Sequence, residues 1–260
     1  MQNKKLLIID GLNVFRRVYE ANLAPDSVKK AEGAIRASHN SMLRALREHQ
    51  PSHVMLTFDA GGPTWRHALD PNYKINRIPM PAHLHDELRK FKPVLASEGW
   101  GLIEHPGFEA DDTIASGAVE AEAIRANVVI LSTDKDLASL ASERVRIYDH
   151  FSAIWRDEAW CLAKFGVRPG LLLDWLALKG DPVDGIPGVA GIGAKTATKL
   201  LLEYGSLTAL LMAADSIPGK MGARLQAQPA QARLSRELTE LRKDLFPLGL
   251  DWDQLRAPSF

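Results

Sequence analysis

The chain has 260 residues, 46% of them hydrophobic, with 32 basic and 32 acidic side chains in formal balance and one cysteine. That apolar content is ample for a packed core and excludes a disordered chain; a lone Cys161 excludes an internal disulfide and a cysteine-based zinc site, and reads as buried filler. No apolar run approaches the roughly 20 residues of a membrane span, and the opening Met1-Gln2-Asn3-Lys4-Lys5 leads into a segment too short for a signal peptide, so a cytoplasmic protein is expected.

Leu6-Leu7-Ile8-Ile9 reads as a strand buried on both faces, and it ends at Asp10-Gly11. Residues 27–47 carry Ala31, Ile35, Leu43 and Leu46 at helical spacing, after which Val54-Met55-Leu56-Thr57-Phe58 repeats the strand pattern and ends at Asp59. A helix over 81–97, a strand over 101–104 and a helix opening at Phe108-Glu109-Ala110-Asp111-Asp112 follow. Val128-Val129-Ile130-Leu131 then delivers a strand into Ser132-Thr133-Asp134-Lys135-Asp136. Alternation stops near Tyr148, and from Trp160 the chain reads as helical to its end. The fold class expected is α/β: a mostly parallel central sheet flanked by helices over residues 1–160, with a helical region over 161–260.

Asp10, Asp59, the Glu109 cluster and Asp134 all fall at carboxyl ends of strands, the edge where such sheets bind ligands. Any one of them could be a turn residue or a helix cap, and Glu109 to Asp112 alone could be a first turn matched to the helix dipole. Four such positions at one edge argue for a site. Gathered carboxylates raise one another's pKa unless cations neutralise them. Oxygen donors without His or Cys suit Mg²⁺ or Mn²⁺, and Mg²⁺ commonly shares its shell with substrate phosphate, so phosphoryl chemistry is expected. His83 and His85, two apart on a helix, point different ways and offer no competing site.

Trp65-Arg66-His67 and Tyr73-Lys74-Ile75-Asn76-Arg77 place cations and aromatics after an acid-tipped strand, either as phosphate clamps with Tyr73 stacking on a base or as a solvated charge cluster. Arg16 and Arg17, soon after Asp10, pose the same choice. Between helices over 171–179 and 194–202 lies a glycine-rich turn that lets backbone approach a phosphate, with Lys195 in the first turn of the next helix. Its glycine spacing does not make a Walker A loop, which excludes a nucleoside triphosphatase.

In order, Ile9-Asp10-Gly11, Phe58-Asp59, Trp65-Arg66-His67 to Tyr73-Lys74-x-x-Arg77, Phe108-Glu109-Ala110-Asp111-Asp112, Ser132-Thr133-Asp134-Lys135-Asp136 and Gly180-Asp181-x-x-Asp184-Gly185-Ile186-Pro187-Gly188-Val189-x-Gly191-Ile192-Gly193 resemble the motifs of the 5′-nuclease family. That family comprises flap endonucleases, phage 5′-exonucleases and the 5′-nuclease domains of bacterial DNA polymerases; with no room for a polymerase, this chain resembles a short stand-alone member. The resemblance spans residues 6–205 and implies a PIN-like fold with a C-terminal helix-hairpin-helix, cutting DNA at 5′ flaps or free 5′ ends in replication or repair and leaving 5′-phosphate products.

By position, the resemblance implies that Asp10, Asp59, Glu109, Asp111 and Asp112 hold one Mg²⁺ and Asp134, Asp136, Asp181 and Asp184 a second, Mn²⁺ being able to substitute. The pair, about 4 Å apart, would activate water and stabilise the leaving oxygen. Asp10, Asp59 and Asp112 are thereby expected to be catalytic, together with Lys74 and Arg77, which would orient the phosphate. Arg17, Arg66, Tyr73, Gly188, Gly191, Gly193 and Lys195 are expected on DNA, and main-chain carbonyls of Val189 and Ile192 on K⁺. With those nine acids set aside, 32 bases face 23 acids, a surface balance suited to a polyanion. Gly185 stands where many relatives carry Asn, and the short 78–92 segment with two prolines leaves closure of an arch open. A DNA binder with vestigial chemistry and a PIN-type ribonuclease are the alternative readings; residues after 226 carry no motif.

Overall fold

The computed structural model describes residues 4–247 and 249–258. Among them, β1 (Lys5–Asp10), β2 (His53–Thr57), β3 (Gly101–Ile103), β4 (Asn127–Leu131), β5 (Val145–Asp149) and β6 (Ile154–Trp155) form one sheet in the order β3-β2-β1-β4-β5-β6. β1 to β5 run parallel, and β6 returns antiparallel on β5. β1 is central, and Leu6 to Ile9 are fully buried because helices cover both faces. Leu7 and Ile9 pack with α1 (Gly11–Ala21), α2 (Val28–His49) and α4 (Ala82–Ser97). Leu6 and Ile8 face α5 (Ala110–Ala123) and belong to the same cluster as Trp175, Leu176 and Leu200 of the helical region, so the core runs without a break across residue 160.

The remaining helices are α3 (Trp65–Leu69), α6 (Glu158–Phe165), α7 (Leu172–Lys179), α8 (Ala194–Tyr204), α9 (Leu207–Met212), α10 (Gly219–Ala227) and α11 (Pro229–Thr239). Their ends follow local chemistry. Ser27 caps α2 by accepting the Lys30 N–H, Asp157 caps α6 by accepting that of Trp160, and α6 stops at Gly166 with φ 72°. Residues 77–81, threaded through Pro79 and Pro81, stay irregular before α4 begins, and Arg16 Nη2 donates to the Ile78 carbonyl at 3.1 Å.

The strands run a little past Tyr148: β5 contains that residue, and β6, only two residues long, follows before the helices begin. One expectation needs correction. The chain is not helical to its end: α11 gives way at Glu240, and Pro247, Gly249 and Pro258 punctuate a return to the sheet. There the Val54 N–H donates to the Leu255 carbonyl at 2.7 Å and the Ala257 N–H to Ser52 O at 3.1 Å, covering the part of β2 that short β3 leaves unpaired.

Candidate active site

Because β1 to β4 are parallel, their carboxyl ends meet at one edge, and a cleft of about 190 Å³ opens there. Asp10, Asp59, Glu109, Asp111 and Asp134 line it, with Lys74, Arg77, Arg16 and Arg17 around them. Asp10 is the end of β1 and the N-cap of α1 at once: it accepts the Asn13 N–H at 3.1 Å and the Ser132 hydroxyl at 2.8 Å. Ser132 Oγ accepts the Asp134 N–H at 3.0 Å, and Asp134 accepts the Asp136 N–H at 2.9 Å. The Asn13 carboxamide bonds Thr133 through its hydroxyl at 2.9 Å and its N–H at 3.0 Å, bracing the two acid-bearing turns together. Asp59 accepts the Ala110 N–H at 2.7 Å, at the start of α5. Asn13 is uncharged and lies outside every motif, and Ser132 and Thr133 stood in theirs only as companions of Asp134.

Burial first, and then Asp134 and Asp59, push the Asp10 carboxyl up to about 7. Burial with Asp134 and Asp10 holds Asp111 well above the usual carboxylate range. These acids crowd one another, as convergent carboxylates must.

Glu109 and Asp112 part company. Arg66, 1% exposed, grips Asp112 through Nη1 and Nη2, both at 2.8 Å, and reaches Glu109 with Nη1 at 3.0 Å. Asp112 also accepts Trp65 Nε1–H at 3.0 Å, the Arg242 N–H at 2.9 Å and the Glu109 N–H at 3.2 Å, the last as part of a capping box. Fully buried and with both oxygens occupied, Asp112 has nothing left for a metal, so its expected ligand and catalytic roles are corrected to an internal one. The expected DNA contacts of Arg66 and Tyr73 are corrected too: Arg66 is enclosed, and Tyr73, 4% exposed, donates its hydroxyl to Glu109 at 3.0 Å instead of stacking on a base. The other Glu109 oxygen holds Lys74 Nζ at 2.6 Å. Burial raises the Glu109 pKa, but Lys74 and Arg66 outweigh it and hold the carboxyl below its ordinary value.

Asp136, Asp181 and Asp184, the rest of the second expected group, stand outside the cleft lining to which Asp134 belongs. Lys135, which sequence reasoning passed over, lies 2.7 Å from Asp181 and 3.2 Å from Asp136. Burial and Asp134 push Asp136 up to about 7, whereas Lys135 overcomes burial to hold Asp181 low. Asp184, raised by burial against the pull of Lys74 and Arg77, has its Oδ1 4.0 Å from Arg77 Nε. The 181–188 loop touches Lys74 directly, since the Lys74 N–H donates to Asp184 O at 3.0 Å. A Cβ on Gly185, which has φ 70°, would lie 2.8 Å from Asn72 O and 3.3 Å from Lys74 N, which accounts for glycine there.

The hairpin joins α7 to α8. Val189 and Ile192 bury their side chains in the main core, and the Val189 carbonyl accepts the Ile192 N–H at 2.9 Å. Gly191, Gly193 and Lys195 are exposed, and Arg224 Nη1 donates to the Gly191 carbonyl at 3.0 Å. Gly188 is a further correction: it is buried and gives its N–H to Ser235 Oγ at 3.1 Å, leaving none for a phosphate. Arg17 is exposed at the cleft mouth beside Phe151.

The donor set fits hard divalent ions. It is all oxygen, the cations set against it are Lys74, Arg66, Lys135 and Arg77, and Asp184 Oδ1 is buried without a hydrogen-bond partner. Among the described residues no group of three or more His, Cys, Asp or Glu side chains is gathered closely enough to hold an ion unaided.

Family models for the 5′-3′ exonuclease N-terminal resolvase-like domain and the 5′-3′ exonuclease C-terminal SAM fold match residues 5–166 and 167–260. The chain belongs to the 5′-3′ exonuclease family. Flap endonuclease Xni of Pectobacterium carotovorum subsp. carotovorum is 36% identical over 255 residues, covering 97% of this chain and 95% of the relative. The thermostable DNA polymerase I of Thermus thermophilus is 37% identical over 257 residues, 98% of this chain and 30% of the polymerase. Among solved structures, phage T5 5′-exonuclease with zinc bound superposes with a TM-score of 0.75 at 21% identity, covering 95% of both chains. A T5 flap endonuclease complex with DNA and metal ions gives 0.76 at 21% identity, covering 96% of this chain and 95% of the other. These likenesses carry the exonuclease-family fold across the whole described chain.

Proposed function

We propose that the protein is a divalent-metal-dependent 5′ nuclease that hydrolyses DNA phosphodiesters at 5′ flaps and free 5′ ends. The observation that carries this reading is the meeting of Asp10, Asp59, Glu109, Asp111 and Asp134 from four strand ends in one cleft flanked by Lys74 and Arg77, in a member of the 5′-3′ exonuclease family. Asp10, Asp59, Glu109 and Asp111 would hold one ion and Asp134, Asp136, Asp181 and Asp184 a second, with Mg²⁺ the expected metal. Bound there, divalent ions supply an activated water and neutralise charge on the leaving oxygen.

The chain's own part is positional. Lys74, now on Glu109, and Arg77, beside Asp184, are cations that a scissile phosphate would recruit. The Asn13–Thr133 and Ser132–Asp10 bonds keep the carboxylates aimed without reorganisation. Gly191, Gly193 and Lys195 would lie along duplex phosphates, with K⁺ held by the Val189 and Ile192 carbonyls. Among the described residues no helix is long and apolar enough to cross a membrane.

The test is a labelled 5′-flap duplex incubated with purified protein and Mg²⁺, beside RNA and hybrid flaps. Cleavage to 5′-phosphate products, abolished by EDTA and by Asp134→Ala, is expected. Cleavage that survives EDTA, or that prefers RNA, overturns the reading, the latter in favour of a PIN-type ribonuclease.

A further inference from the structure

Helix α11 touches the hairpin and, further along, Arg66 and Tyr73, the two side chains that hold the cleft's Glu109 from behind. Ser235, fully buried in its middle, accepts the hairpin's Gly188 N–H. One turn on, Leu238 packs with Ile186, at the entrance to the hairpin, and with Tyr73 in a small apolar cluster separate from the main core. The chain then passes its carbonyls to Arg66: Nε donates to Leu238 O at 3.0 Å, and Nη2 donates to Glu240 O. Asp112, gripped by the same guanidinium, accepts the Arg242 N–H, and Ser116 Oγ donates to the Arg242 carbonyl at 3.0 Å.

All five N–H donors of Arg66 are thereby spent: Nε on Leu238, Nη1 on Glu109 and Asp112, Nη2 on Asp112 and Glu240. The planar fork leaves no freedom to shift one partner without disturbing the others. Glu109 is the link to the chemistry, because its second oxygen holds Lys74. Stability alone gives little reason for such a group, since well-packed apolar residues commonly replace a buried ion pair at no cost.

We infer that Arg66 is a positioning residue that ties the hairpin to the cleft through α11, so that duplex engaged by the hairpin sets the Glu109–Lys74 pair for cutting. The inference rests on the nuclease reading above. It assigns the stretch from Ser235 to Arg242, which carries no recognisable motif, to the catalytic apparatus as its brace.

The experiment compares a 5′-flap duplex with a single strand of the same 5′ sequence, measuring kcat and KM in Mg²⁺, flap affinity in EDTA and thermal unfolding. Ser235→Ala, which cuts the brace at the hairpin, should lower kcat on the flap about tenfold and on the single strand less than about twofold. Replacing both buried charges, Arg66→Met with Asp112→Leu, should lower the unfolding temperature, because the Trp65, Glu109 and Arg242 N–H groups lose their acceptor, yet keep the flap affinity of the folded protein and lower flap kcat about 100-fold. Arg66→Lys, which keeps the charge and loses the fork, should show the same split of kcat from affinity should the double variant not fold. Equal losses on both substrates for Ser235→Ala, or a folded Arg66 variant with unchanged kcat, overturn the inference while the nuclease reading stands. No cleavage by the unaltered protein overturns both.

Discussion

Asp10→Asn is expected to disable the enzyme and stabilise the protein. Burial and neighbouring carboxylates raise the Asp10 carboxyl from 3.8 to about 7. A buried carboxyl with a raised value holds its proton in the folded chain over a pH range where the unfolded chain has lost it. Its stabilisation is therefore greatest below the unfolded value and falls as pH rises through the folded one. Three pH units set a ceiling of about 4 kcal/mol at pH 8. Asparagine keeps the acceptor for the Asn13 N–H but forces the Ser132 hydroxyl to turn round, so about half that ceiling, ~2 kcal/mol, is the expected gain. For a chain of this size that is a rise of about 4–8 °C in Tm. The assay is thermal unfolding of both proteins in EDTA between pH 4.5 and 8.5. The variant should be the less stable at the acid end, overtake the parent as pH rises toward 7, and lose its lead when Mg²⁺ is added at pH 8. A gap that does not depend on pH, or a parent more stable than the variant at pH 8, refutes the reasoning.

Other perturbations follow from single contacts. Gly205 and Gly185 both have positive φ, but a Cβ meets nothing at the first and the Asn72–Lys74 backbone at the second. Gly205→Ala should thus cost about 1 kcal/mol with kcat intact. Gly185→Ala should cost more and lower kcat, measured by urea unfolding and flap cleavage; equal kcat in the two would sever the 185 loop from the site. Mg²⁺ should raise Tm more at pH 8 than at pH 5, because Asp10, Asp111 and Asp136, all raised by burial and then by Asp134, must lose protons to bind it; a shift larger at pH 5 would count against carboxylate ligation. Leu255→Ala, at a site 2% exposed, should cost about 2–4 kcal/mol in urea unfolding, whereas a loose tail would lose nothing.

Much of the sheet and of the acidic cleft was legible because both depend on local signals. A strand buried on both faces must be a continuous apolar run, as Leu6 to Ile9 are, and an acid closing it must lie at the sheet's ligand-binding edge. What sequence could not tell was which of several acids is used by the protein itself. Asp111 and Asp112 are adjacent and chemically identical, yet one faces the cleft and the other is enclosed by a guanidinium whose partners lie more than 40 and more than 170 residues away. Arg66 and Tyr73 were misread for the same reason: a cation or an aromatic beside an acidic site looks like a substrate contact until the burial is known. The bland reading of the Glu109 cluster holds for Asp112, which completes the capping box of α5, while Asp111 faces the cleft, where the functional reading needs it.

The pairing of Leu255 and Ala257 with β2 also bears on how the molecule is made. Val54 and Leu255 are separated by roughly 200 residues, so the ribosome exposes β2 long before its covering segment exists. In that interval the sheet carries an open edge able to recruit foreign strands. Arg66 and Asp112 must likewise await Leu238 to Arg242. A nascent chain therefore has its acids before it has their brace, and the inference drawn for Arg66 predicts that full cutting activity follows the docking of Ser235 to Arg242.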